Sequence, residues 1–239
     1  SIVLRVKKEI LHSCSESEEE SLMEKITEQK IVQTILKSQK ADGWIGNNYH
    51  GSSPKHGAGM YDNMEVGLRY LVEKGFQRDN AYIKRAVDSI VKRAQFDSAY
   101  GCKILTLPQD DYSLTAWGLY LSRSSLLIRV GYENMLPAHD FINLKHDIDY
   151  SLDCFFNVLN YDDIYEVLDT HRKKLTFKQG MKWPCIYDLR MLAHSNSWKN
   201  QSNKTKLVES INKLFEINTL NEMVYSYNNG QYVGPCFAF

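Results

Sequence analysis

Residues 35–51 read ILKSQKADGWIGNNYHG. Apolar residues at helical spacing run up to Gln39. Asp42-Gly43 then ends the helix, and Trp44 follows between Gly43 and Gly46. Gly43 admits the left-handed backbone that closes a helix C-terminus. A tryptophan just past such a turn predicts a plug over the end of one helical hairpin, filling its joint with the next. The Gln39 amide stands where it can satisfy backbone groups at a neighbouring helix end. Behind the turn, a polar loop carries His50, Lys55, His56, Tyr61, Asp62, Asn63 and Glu65 ahead of the next helix.

The rest of the chain has the same rhythm. Upstream, IVLRVKKEIL repeats Ile2, Val3, Val6 and Ile10 at helical spacing. In SESEEESLMEKI, Ser15 or Ser17 is placed to cap a helix whose first turn is acidic, and that helix is expected to continue to Gln39. Downstream, Met64, Leu68 and Leu71 share a face, with Gly75 as C-cap. Asp79 or Asn80 caps the next segment, whose stripe is Ile83, Val87, Ile90 and Val91, with Lys84, Arg85, Lys92 and Arg93 facing water. A third pair covers DDYSLTAWGLYLSRSSLLIRVGY and HDFINLKHDIDYSLDCFFNVLNY, and a last pair CIYDLRMLAHSNSW and NKTKLVESINKLFEI. CKILTLP is the best strand candidate. Residues 220–239, aromatic and turn-rich, read as short extended structure or an irregular arm.

Three segments repeat a form: YDNMEVGLRYLVEKG from Tyr61, DYSLTAWGLYLSRSS from Asp111, and IYDLRMLAHSNSW from Ile186. Each sets an aromatic and an aspartate at a helix start, then leucines, a turn and a second amphipathic helix. Hairpins of this kind bury their faces by stacking on neighbours, which predicts a helical array or closed ring.

QKADGWIG, residues 39–46, resembles the glutamine–tryptophan turn of the terpenoid-cyclase and protein-prenyltransferase α/α-toroid superfamily, and YDLRMLAHSNSW is a second block of similar character. The likeness is greatest to a bacterial branch. It implies an all-α fold, a complete or partial α/α toroid of antiparallel helical hairpins, as one domain over residues 1–239. It also implies a central cavity that binds or transforms an apolar, isoprenoid-like ligand. The motifs of the catalytic members are missing: there is no Asp-x-Asp-Asp proton donor, and no context matches the zinc ligands of the prenyltransferases. The alternatives are a non-catalytic ligand-binding or protein-interaction scaffold, or a glycan-active toroid enzyme.

Bulk composition sets the outer limits. The 239 residues carry 29 Lys+Arg against 29 Asp+Glu, so no basic field favours nucleic acid. No apolar run reaches the roughly 20 residues of a membrane span. Cys14, Cys102, Cys154, Cys185 and Cys236 are scattered, without C-x-x-C spacing, so neither a zinc site nor a disulfide framework is expected. Unbridged thiols in a reducing cytoplasm are expected instead. No phosphate-binding glycine loop, H-E-x-x-H or G-x-S-x-G occurs, and no cofactor is implied.

The candidate site follows from the repeat. If helix starts converge on a cavity, Asp62, Asp111 and Asp188 ring its mouth, with His56 beside the first, as general acids or bases. Three separate helix caps explain the same aspartates equally simply. His50, Tyr61, Glu65, Trp183, Tyr187 and Arg190 are the candidate ligand contacts, suited to a small apolar chain or a glycan. YDDIYE, residues 161–166, matches the diphosphate–magnesium motif of class I terpene synthases superficially. That motif belongs to a different helical fold, and the stretch reads as an ordinary acidic run.

Overall fold

Ser15 opens the first long helix by accepting a hydrogen bond from the Glu18 N–H (3.3 Å), the side-chain cap its position predicts. The computed structural model describes residues 2–49, 61, 63–93, 114–135, 142–169, 174–177, 184–217, 225–228 and 231–235. These are mostly helical. The chain divides into two compact units, Ser1–Lys103 with Val130–Tyr132, and Ile104–Arg129 with Glu133–Phe239.

The first unit holds α1 (Ile2–Arg5), a π-helical turn (Val6–Ile10), α2 (Glu16–Thr27), α3 (Lys30–Ser38), α4 (Met64–Glu73) and α5 (Ala81–Arg93). Two expectations need correction. The helix expected from Ser15 to Gln39 is two helices: Gln29 is extended (φ −60°, ψ 133°), and the Gln33 side chain donates to the Thr27 carbonyl at 2.8 Å. Side-chain capping by an ordinary helix former makes this break, so no Gly or Pro marks it. At the N-terminus, Leu4 is buried while Ile2, Val3 and Ile10 are exposed. The π turn has more residues per turn than an α-helix, so the 3.6-residue spacing does not select the buried face.

Elsewhere the helix ends follow local chemistry. Gly75 (φ +105°) closes α4 with paired bonds, Gly75 N–H to Val72 O (3.0 Å) and Phe76 N–H to Leu71 O (3.1 Å), the Schellman arrangement. Asn80 accepts from the Tyr82 N–H (3.0 Å) at the start of α5. Ile83, Val87 and Ile90 are buried, as the stripe predicts. Within α4, a side chain at Gly67 would come 2.7 Å from Ile45 Cγ2, so its absence lets α4 sit close against the segment after α3.

The second unit contains α6 (Leu114–Arg129), α7 (Leu144–Asn157), a 3₁₀ turn (Val158–Asn160), α8 (Tyr161–Ile164), β1 (Tyr165–Asp169), β2 (Lys174–Phe177), α9 (Ile186–His194), α10 (Gln201–Ile217), β3 (Tyr225–Asn228) and β4 (Gln231–Pro235). Helix α6 is buried continuously from Leu121 to Ile128, the pattern of a central helix. It packs on α7 and α9, and α10 packs on α7. The four strands form one sheet in chain order; β1–β2 and β3–β4 are antiparallel, and β2–β3 is parallel. Thr176 faces Tyr225 across the parallel pair. The C-terminal tail thus supplies extended structure. The strand expected at CKILTLP lies outside the described residues.

Candidate functional site

Two constructions stand out, one in each unit. In the first, everything converges on Gln39. Its Nε2 donates to the Gly43 carbonyl (3.0 Å) and to the Tyr82 carbonyl at the start of α5 (2.9 Å), while its Oε1 accepts from Arg85 Nη2 (2.7 Å). Gly43 has φ +91°, and a Cβ there would meet the Arg85 carbonyl oxygen at 2.0 Å. Trp44 is fully buried, 6.3 Å from the Tyr49 ring centre and capped by the Arg93 guanidinium at 4.2 Å. Asp42 binds the Trp44 N–H (3.1 Å) and pairs with Arg93. The Arg93 hydrogen bond holds the Asp42 carboxyl below its ordinary range. The turn therefore locks α3 to α5. Sequence placed Arg93 in water; it is half-buried on Trp44 instead, because a planar guanidinium stacks well on an indole face.

In the second unit, Asp188 is the third residue of α9 and is 1% exposed. Its Oδ2 accepts the Cys185 N–H and its Oδ1 accepts the Ser151 hydroxyl from α7, each at 2.6 Å. With Cys185 at the N-cap, this is a capping box. Burial, the largest influence, pushes the Asp188 carboxyl up to about 6 against the lowering effect of those bonds. Burial also raises the Cys185 thiol, with Asp188 adding to it, and raises the Tyr150 phenol, with Cys154 and Asp188 adding to it. Asp147, also 1% exposed, accepts from the Ser124 hydroxyl at 2.6 Å.

Trp198, after α9, parallels Trp44 after α3. It is buried, and its Nε1–H donates to the Leu192 carbonyl (2.9 Å), covering an otherwise open carbonyl in the last turn of α9. Glu133 accepts the Asn196 N–H (2.9 Å) and the Ser197 N–H (2.9 Å) in the same connection. Burial raises the Glu133 carboxyl, but these bonds outweigh it and hold it below its ordinary value.

The predicted site residues divide accordingly. His50, His56, Asp62, Asp111 and Trp183 lie outside the described residues. Tyr61 is half-buried, its ring 4.9 Å from that of Tyr70, and Glu65 is buried in the first turn of α4. Tyr187 and Arg190 stand together on α9, the guanidinium 5.5 Å from the ring centre. Of the three repeat aspartates only Asp188 falls among the described residues, as the third residue of its helix. Asn63, not an aspartate, caps α4 through the Val66 N–H (2.9 Å). YDDIYE splits between α8 and β1, so its acids do not share one helical turn. Ser151 and Asp147 were missed; both lie on α7 far from Asp188 in sequence, and only their buried position on an otherwise apolar face hints at them.

Among the described residues no group of three His, Cys, Asp or Glu side chains is placed to hold a metal ion, and no helix is long and apolar enough to cross a membrane. No protein-family model, curated protein or solved structure matches this chain.

Proposed function

We propose that this chain is a helical-hairpin protein of the α/α-toroid kind, akin in design to the terpenoid cyclases and prenyltransferases, that works as a non-catalytic binding scaffold. The toroid part is supported by the Gln39–Trp44 joint, where glutamine, glycine and tryptophan are all spent on locking two helices. The non-catalytic part rests on one observation. Asp188 is enclosed in the core with each oxygen committed to a neighbour, Ser151 or Cys185. A general acid must come within hydrogen-bond reach of its substrate, and this carboxyl reaches only the protein.

One observation favours a second, enzymatic reading: a carboxyl pushed up to about 6 retains protons near neutral pH, as acid catalysts do. Native mass spectrometry of freshly purified protein, followed by incubation with farnesyl diphosphate, separates the two. The scaffold reading expects a retained apolar molecule or partner chain and intact farnesyl diphosphate. Conversion of the diphosphate that disappears in Asp188→Asn would overturn it.

A further inference from the structure

The helical core of the second unit encloses two carboxylates with no cationic Lys or Arg side chain paired to either among the described residues. Asp188 on α9 is held by Ser151 and the Cys185 N–H. Asp147 on α7 is held by Ser124 and lies 3.3 Å from Nδ1 of His146, an exposed ring. The groups acting on Asp188 are Ser151 and Asp147 from α7 and Cys185 at its own helix start. Tyr150 of α7 acts in the same neighbourhood, with Cys154 bonded to it. Helix α6 supplies the Ser124 hydroxyl to Asp147 and also buries Arg123.

We infer that the α6–α7–α9 core is a proton-linked element: the buried, cation-free setting of Asp188 favours a proton on it more than the unfolded chain does, and its ionisation weakens the seat of α9 against α7. The reason is desolvation. A carboxylate in an apolar interior without a cation is costly, and it takes a proton in preference to staying charged. Asp147 adds like-charge repulsion in the same direction. The proton comes from solvent and returns to it. When it sits on Oδ1, the Ser151 hydroxyl turns to accept it and offers its own hydrogen to the main-chain carbonyl one turn back, which a helical serine reaches without strain. No other bond at the start of α9 has to change.

The folded chain holds this proton more tightly than the unfolded chain, whose aspartate titrates at its ordinary 3.8. The stabilisation is therefore complete below that value and is lost as pH rises to about 6. A shift of roughly two pH units corresponds to a change on the order of a hundred-fold in the folding equilibrium. His146 lies against Asp147 and is charged only when protonated, so the measurement must isolate Asp188.

Asp188→Asn does so. Its amide oxygen accepts the Cys185 N–H, its amide nitrogen meets Ser151, and it does not titrate. Urea denaturation of the full chain and of this variant, from about pH 4 to about pH 7, gives the ratio of their folding constants. The ratio is expected to fall against the parent by on the order of a hundred-fold across that range. A ratio constant within about three-fold would overturn the inference. Should the variant not fold, carbon-13 carboxyl titration of the parent decides. An aspartate with its midpoint near 6, moved upward by Ser151→Ala, supports the inference. Ordinary titration of every aspartate, below about pH 5, overturns it.

Discussion

Gly43→Ala tests the joint at its tightest point. The added methyl would lie 2.0 Å from the Arg85 carbonyl oxygen and 2.5 Å from its carbonyl carbon. Both are backbone atoms of a helix, so no rotamer relieves the clash. Helix α5 must shift by about an ångström or more, which stretches the Gln39–Tyr82 bond of 2.9 Å and the Arg85–Gln39 bond of 2.7 Å beyond useful length. The φ of +91° adds a backbone term. Left-handed geometry costs a non-glycine residue about 1–2 kcal/mol, overpacking about 1–3 kcal/mol, and each weakened hydrogen bond about 1 kcal/mol. A loss of roughly 4–7 kcal/mol follows from these terms together. Gly75→Ala is the internal control. Its φ is +105°, but its Cβ would meet Leu4 Cδ2 at 2.7 Å, the far end of a side chain that can rotate away. That variant should lose only the backbone term, about 1–2 kcal/mol. Urea denaturation monitored by circular dichroism measures both. Equal losses, or a Gly43→Ala chain as stable as the parent, would refute the claim that backbone contact between the turn and α5 sets the cost.

Trp44→Ala should destabilise by roughly 3–5 kcal/mol, because a fully buried indole leaves a cavity under Arg93; a thermal melt indistinguishable from the parent would remove the plug role. Asp42 titrates below its ordinary value because of its Arg93 bond. Its stabilisation is present above the unfolded pKa and is lost as pH falls through the lower folded one. Asp42→Asn should accordingly lower the melting temperature at neutral pH and flatten its fall in acid, converging on the parent at the lowest pH, which thermal melts from neutral to acidic buffers would reveal.

What could be read from sequence was local chemistry. Ser15, Gly75 and Asn80 act within a few residues of where they stand, so their types announce their roles. The Gln39–Trp44 turn was legible for the same reason, but the arginines that complete it were not. Arg85 and Arg93 come from a helix more than forty residues away, and on a helical wheel they are indistinguishable from solvated cations. Asp188 was legible only in part. An acid near a helix start suggested a cavity mouth, yet its second oxygen is claimed by Ser151, a partner that no local pattern indicates. The break at Gln29 had no Gly or Pro to signal it. Asp62, Asp111, His50, His56 and Trp183 lie outside the described residues, so the shared-mouth expectation stands on sequence alone.

The convergence of bonds on Gln39 bears on how the first unit comes apart. A single amide side chain ties the turn after α3 to the α5 main chain, and Arg85 ties it back. The end of α3 and the start of α5 therefore cannot fray separately: opening either one strips donors and acceptors from the other. Hydrogen exchange should register this as one opening event. The amides of Gly43, whose N–H binds the Lys40 carbonyl, and of Ala86, in the first turns of α5, should lose protection together at the same denaturant concentration. A glutamine, a side chain more often left to water, would then act as the latch of a cooperative unit.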